Sequence, residues 1–396
     1  MPIELDIGTL AQSLAYFIAA YTIVTLSLNL EAGFTGIPNF GKHLFVAAGA
    51  FVVASIGNRL SAYIVSVLYK DEILKLIQED PLLSKRITEA DIGSLWSMYA
   101  DPLGNRDLDR IMDKFFAQHP ELGILLFILI LILAVAIGGL LGLLISYPAL
   151  RLRGEYLAIL LLAAAEMVVM AIGYYWKPLV GGTTGLFLPR YLAVFGQKVI
   201  LGVTVLLILA AVAMYLYAQR IANSPAGRMM RAVRDDELAA ASLGKDIAKV
   251  RRDVIIISSA MAALAGALIA IHTGSVVSTH YQRFSWTFIP WAMMIVGGVA
   301  NNSGVVVGVA IIMILQKFVD IVKPMLAPVV PFDPVWLYQI GLGLVIILML
   351  YMRPQGIIPE KPSRTVNFEE IFEDVLEDKV EDEQAKKMIR EGRATP

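Results

Sequence analysis

Two carboxylates stand in stretches that are otherwise almost free of charge. Glu31 opens the run E-A-G-F-T-G-I-P-N-F-G-K-H-L-F-V-A-A-G, and Glu166 interrupts A-I-L-L-L-A-A-A-E-M-V-V-M. A charge at the centre of a bilayer costs roughly 3 kcal/mol on insertion scales. Each carboxylate must therefore face a bundle interior and meet a partner, or carry a proton. Either could line a pathway or lock helix packing. The pathway role has more weight at Glu31; an interhelical hydrogen bond is the simpler reading of Glu166.

A second kind of chemistry is carried by amides and glycines. Gly36, Asn39 and Gly41 break the first run, and Gly297, Gly298, Asn301, Asn302 and Ser303 break a second one, G-G-V-A-N-N-S-G-V-V-V-G. Both interrupt apolar segments that are short for a full span. Irregular backbone at membrane depth survives only where it is buried in protein or lines a cavity. A matched pair of glycine-broken segments in opposite halves is the best sequence pointer to a transporter's binding site. The competing reading is a pair of ordinary surface turns.

Other chemistries are excluded. Gly36–Lys42 fits G-x-x-x-x-G-K, but His43 stands where a nucleotide-binding loop needs Ser or Thr, and no strand of an α/β domain precedes it. The chain does not bind ATP by that route. His43, His119, His272 and His280 are too scattered for a metal cluster, and the absence of cysteine removes disulfide, thiolate and redox chemistry. No nucleophile–base pair suggests an enzyme. The net charge of −1 implies no nucleic-acid partner.

The elements that must hold these residues are membrane helices. Apolar side chains make up 57% of the 396 residues against 17% charged, and the mean hydropathy is +0.68; a soluble domain is nearer a quarter charged. About 20 apolar residues cross the hydrocarbon. The expected spans are Leu10–Leu30, His43–Leu68, Leu122–Tyr147, Tyr156–Tyr174, Val199–Ala218, Val254–His272, a glycine-split pair across Phe288–Phe318, and Val335–Met352. The fold class is all-α, a polytopic bundle of about 8–10 spans with broken or re-entrant helices. The N-terminal stretch lacks the basic region of a cleaved signal peptide, so the first span is expected to be retained.

Orientation follows from Lys and Arg in short loops. Arg151 and Arg153 mark one cytoplasmic loop, and residues 219–253, with eight Lys and Arg, mark another. The loop Tyr174–Lys198 then faces outside, as does the acidic segment 70–121, which could be a lid, a docking surface or an elaborated loop. Four regions result: N-terminal spans to residue 69, the external insertion 70–121, the main core 122–359, and a charged cytoplasmic tail 360–396. In that tail Asn367–Glu391 reads as an amphipathic helix or a solvated segment.

The loop 219–253 is the most structured of the connectors. Ser224 is a good N-cap, Pro225 suits the first helical position, Gly244 suits the residue after a helix end, and Asp246 can cap the next span. A short rigid helix is expected, with Arg228, Arg231 and Arg234 at three-residue spacing and a smooth patch at Ala239, Ala240 and Ala241. Such a knob could receive a mechanical stroke, or could simply seat arginines at headgroups.

The stretch Ser224–Gly244 resembles the coupling loop of ABC importer permeases, carried here by Glu237, Ala239, Ala240 and Gly244. The likeness is greatest to permeases of branched-chain amino acid importers of the LivM type. Five further stretches agree in order: Leu28–His43, Leu150–Glu166, Gly181–Leu186, Ile295–Gly308 and Arg353–Pro359. The first departs from many relatives in Pro38-Asn39-Phe40 and in an extra Lys42 where they have a small hydroxyl residue and no lysine. The insertion and the tail exceed the family core.

The resemblance implies a permease subunit for branched-chain amino acids in the cell membrane, with no cofactor of its own. Its partners would be two ABC ATPases that bind ATP, a second permease of the LivH type, an external substrate-binding protein and the lipid bilayer. Glu31, Gly36, Asn39, Gly41, Glu166, Gly297, Gly298, Asn301, Asn302 and Ser303 would line the substrate path, with Thr183 and Thr184 at its outer mouth. Ser224, Pro225, Gly227, Arg228, Arg231, Arg234, Glu237, Ala239, Ala240 and Gly244 would meet the ATPases. The rivals are an ABC permease for urea, amides or sugars, and an ion-coupled secondary transporter in which Glu31 or Glu166 titrates.

Overall fold

Long apolar runs with no polar stripe favour helices whose backbone groups are satisfied within the segment, and the computed structural model is built of them. It describes residues 7–80, 87, 95–99, 102–152, 154–326 and 335–360. The amphipathic reading of Asn367–Glu391 lies outside the described residues.

In chain order, α1 (Ile7–Leu28) continues into a π-helical turn, Asn29–Phe34. After a break come α2 (Lys42–Val52), a π-helical turn and α3 (Asn58–Leu68). The insertion contributes α4 (Lys70–Glu79), α5 (Leu95–Met98) and α6 (Pro102–Gln118). Next are α7 (Pro120–Arg151), α8 (Gly154–Met170), the short α9 (Lys177–Val180) and α10 (Val199–Asn223). The expected single helix of the basic loop is two, α11 (Pro225–Asp235) and α12 (Glu237–Ser242). Asp236 separates them in an extended conformation, because its side chain turns back to cap α12. The chain ends with α13 (Ile247–Thr273), α14 (Ile289–Gly297), α15 (Asn302–Leu326) and α16 (Val335–Met352).

Seven helices among the described residues are long and apolar enough to cross a membrane, and Trp336–Met352 is a shorter apolar helix. The most enclosed are those near α1 and α13; the spans from Pro120, Gly154, Val199 and Asn302 keep most of their surface outward, as lipid-facing helices do. The centre is held by close backbone packing. A Cβ added at Gly49 of α2 would collide with the Ala263 carbonyl of α13, and one at Gly266 with the carbonyl of Val46. Alanine would force these two helices apart, which is why small residues recur where membrane helices cross.

Contacts along α13 fix the directions. Tyr16 stacks on His272 near one end, with ring centroids 3.8 Å apart, and Glu31 meets Ser258 near the middle, so α1 runs antiparallel to α13. Gly138 and Gly142 of α7 pack on Ala263 and Ser259 in the same antiparallel sense. At the end of α13, Ser275–Val276 pairs with Leu186–Phe187 of the loop between α9 and α10. The insertion docks there as well. Asn105 of α6 exchanges hydrogen bonds with Phe187 (2.6 and 3.3 Å), and Asp113 pairs with Arg190 at 3.6 Å. Burial and the neighbouring Asp113 push the Asp109 carboxyl up to about 7, against the pull of Arg190. The arginine-bearing α11 and the short α12 lie at the opposite end of α10 and α13 from that strand pairing.

Candidate functional site

Both glycine-broken segments lie inside the bundle. In the first, α1 and its π-helical turn end at Phe34, and α2 begins again at Lys42. The first helix ends against the middle of α13: Ser258, about 17 Å from the start of that helix, donates to the Glu31 carboxylate. Glu31 and Lys42 close an ion pair at 3.2 Å with both side chains wholly inaccessible. Charges this far from water persist only as a pair with further hydrogen bonds. The ion pair therefore joins the end of one helix to the start of the next across the break.

Between them, Gly36 packs against Arg234 of α11, Asn39 accepts a hydrogen bond from the Gly41 amide at 2.9 Å, and Gly41 lies on the Leu161 carbonyl of α8. The backbone N–H of His43 donates to Thr287 Oγ1 (3.0 Å). The ring Nδ1 of His43 is 3.2 Å from the same hydroxyl, and Nε2 is 3.4 Å from Glu166. Thr287 thus meets His43 at both its backbone and its ring, and the Glu166 carboxylate faces the other ring nitrogen.

The second break is made of amides. The π-helical turn Phe284–Phe288 and α14 together are about 21 Å long, too short to span, and α15 turns back beside α14 as a re-entrant pair. Gly298 has φ of +127°, a conformation that only glycine adopts easily, and a Cβ there would strike the Ile358 carbonyl. Asn29 of the first break reaches across: its Oδ1 accepts the Ala300 amide at 2.9 Å, and its Nδ2 donates to Asn302 at 3.0 Å. Asn302 donates on to Gln219 of α10 at 3.1 Å. Asn301 caps α15 by accepting the amides of Ser303 and Gly304, and Ser303 is exposed beside Tyr215 at 2.8 Å. Gly297 packs against the Gly304 carbonyl. First-turn amides of both restarted helices, those of His43 and Leu44 in α2 and of Ser303 and Gly304 in α15, are thus satisfied from within the chain.

The helices of the basic loop hold these two breaks. Ser224 caps α11 through the Ala226 amide, Pro225 is its first residue, and Gly227 lies against the Ala222 carbonyl. Arg234 donates to the Gly33 carbonyl at 2.9 Å and pairs with Glu360 at 2.9 Å. Arg231 pairs with Glu360 at 2.9 Å and lies 5.1 Å from the Phe34 ring centroid. Two residues before Glu360, the amide of Ile358 bonds to the Gly297 carbonyl at 3.0 Å, with Ile357 on Val296 alongside. So α11 touches the first break directly and the second through residues 357–360. Glu237 pairs with the buried Arg251, pinning α12 to α13. Arg228, Ala239 and Gly244 are exposed, Ala240 is buried, and Leu238 and Leu243 stand 74% and 76% exposed on the free side. Gly244 takes φ +73° after α12, and Asp246 caps α13.

Thr183 and Thr184 lie apart from this group, exposed on the turn Gly182–Thr184. Sequence reasoning passed over Asn29, Ser258, Arg283, Glu360 and the pairing role of Lys42. Lys42 carried a signal, a lone lysine at a helix start in an apolar run. Asn29 and Glu360 carried none, since their partners lie far away in sequence.

The comparisons with known proteins agree with this architecture. Residues 10–350 match the family model described as the branched-chain amino acid transport system permease component. The chain is 34% identical over 364 residues to a probable branched-chain amino acid transport permease protein LivM of Methanocaldococcus jannaschii, covering 91% of this chain and 96% of that one. It is 26% identical over 244 residues to the high-affinity LivM permeases of Salmonella typhimurium and Escherichia coli, about half of each chain (55% and 54%). No solved structure matches. With seven long apolar helices, two broken segments and a family match over most of its length, the chain belongs to the branched-chain amino acid transport permease family as a multi-pass protein of the cell membrane.

Proposed function

We propose that the chain is the transmembrane permease subunit of an ATP-driven importer for branched-chain amino acids. Separate ATPase subunits seat on α11 and α12, an external binding protein delivers the amino acid, and a second, homologous permease completes the passage. ATP is bound and hydrolysed on the partner subunits, and this chain carries no cofactor. The observation that carries the reading is the grip of one cytoplasmic helix on both broken segments, through Arg234 to Gly33 and through Glu360 to Gly297. A push on α11 must shift the ends of both breaks together, so ATP binding becomes a difference in stability between two packings. The exposed Leu238 and Leu243 offer an apolar seat to the motor.

Reconstitution tests the reading. Proteoliposomes holding this chain with a second permease, two ATPases and the binding protein should accumulate leucine only with ATP inside the coupling compartment. Unlabelled isoleucine and valine should compete, while urea, acetamide and ribose should not. Leucine uptake driven by a proton or sodium gradient without ATP would overturn it.

A further inference from the structure

One charged cluster is left unused by the coupling scheme. Glu166 is about 18 Å along α8 from its start, near the middle of a helix that with its π-helical turn is about 33 Å long. Its side chain is 27% exposed, and Arg283, 3.9 Å away, is 54% exposed. Both therefore reach the surface of the chain at membrane depth, where hydrocarbon would penalise each charge. Three aromatic rings stand near these contacts in sequence: Phe40 comes three residues before His43, Phe288 follows Thr287, and Trp291 lies in the first turn of α14. Phe40 stacks on Trp291 with ring centroids 4.8 Å apart, and its centroid is 6.0 Å from that of Phe288; all three rings are half-buried. His43 Nε2 stands 3.4 Å from the Glu166 carboxylate, and the Trp291 ring is fixed by donating from Nε1 to the Asn39 carbonyl at 3.3 Å.

An exposed anion, an exposed cation and a group of aromatic rings together form the complement of a free amino acid with a hydrophobic side chain. We propose that Glu166 and Arg283 bind the ammonium and carboxylate of the transported amino acid, with Phe40, Phe288 and Trp291 receiving its side chain. This deepens the proposed function and rests on it. The Glu31–Lys42 pair carries the same two charges but is wholly enclosed; the Glu166–Arg283 pair is long and open, so a zwitterion can replace one partner of each charge without unpacking a helix. Glu166 and Arg283 are then exposed because the surface they share lines the passage, not the lipid.

The absence of cysteine makes the test direct. Ala163→Cys places one thiol a helical turn before Glu166 at an exposed position. In the assembled importer, leucine should slow maleimide labelling of this chain, while 3-methylbutylamine and 4-methylpentanoate, each lacking one charge, should not. Adding Glu166→Gln or Arg283→Gln should weaken the protection roughly tenfold in leucine concentration, the scale of one charge-assisted hydrogen bond, in variants that still copurify with their ATPases. Protection that is equal for the three compounds, or unchanged by both substitutions, overturns the assignment. So does the absence of protection in particles that accumulate leucine with ATP, whereas absence of ATP-driven uptake itself would count against the permease reading instead.

Discussion

The two broken segments solve one problem with different chemistry. Each must stop a helix inside a bundle and restart it without leaving backbone groups bare. The first does so with charge: Glu31 ends one helix, Lys42 begins the next, and Ser258 completes the set in full burial. The second does so with amides and an added piece of chain: Asn29, Asn301 and Asn302 satisfy the restart, and residues 357–358 pair with the end of α14. A neutral network loses one or two hydrogen bonds when cut, but a buried ion pair leaves a whole charge behind. The first break is accordingly brittle and the second forgiving. Both are held by the same helix, α11, so their difference concerns stability more than drive.

That contrast can be broken most easily at Lys42. Lys42→Met leaves the Glu31 carboxylate buried without a counter-charge and should destabilise the protein by about 3–5 kcal/mol. Thermal unfolding in detergent would show it. Glu31→Gln combined with Lys42→Met should recover most of the loss, because a pair of neutral groups of similar volume needs no counter-charge. If the single and double variants melted alike, the ion pair would not be what closes the first break.

At the second break the largest effect should come from the backbone. Gly298→Ala meets both the unfavourable φ of +127° and the Ile358 carbonyl; strain of this kind costs roughly 1–3 kcal/mol. It should also free residues 357–358 from α14, read as faster amide exchange at Ile357 and Ile358. Asn29→Ala removes two hydrogen bonds at once, from the Ala300 amide and to Asn302. Its expected cost is about 1–3 kcal/mol for polar groups left unsatisfied, below that of Lys42→Met. A cost at Asn29 equal to that at Lys42 would erase the distinction between brittle and forgiving.

Much of this was legible in the sequence. Long uncharged runs announced the spans, and glycines beside asparagines announced both breaks, because nothing else in a membrane helix needs those residue types together. The caps at Ser224 and Asp246 were legible because capping is local: side chain and amide are two or three residues apart. The division of the basic loop at Asp236 was not, although Asp236 is itself a good cap; only its extended backbone shows that it starts a second helix. The pairing of Arg231 and Arg234 with Glu360, of Asn29 with Asn302, and of Glu166 with Arg283 joins positions more than a hundred residues apart. No spacing rule reaches that far. Glu166 shows the same limit. Its isolation demanded a partner, but only the fold brings both His43 and the exposed Arg283 to it.

The smallest effect on stability should be the most informative for coupling. Glu360 is 27% exposed, and its partners Arg231 and Arg234 are 16% and 25% exposed. Pairs of this kind contribute at most about 1 kcal/mol, so Glu360→Gln should leave the melting temperature almost unmoved. Yet Glu360 joins α11 to the residues that pair with α14, and the first break keeps its own direct bond from Arg234 to Gly33. Cutting the first of these connections leaves a stroke that moves one break without the other. The expected outcome is ATP hydrolysis that still responds to the loaded binding protein, with fewer amino acids imported per ATP. Arg234→Gln should lower the ratio further, because it loosens both breaks at once. If Glu360→Gln transported at the normal ratio, the second break would follow the cytoplasmic helix through the packing of α10 and α15 alone, and residues 357–360 would be a cover for the Gly297 carbonyl and nothing more.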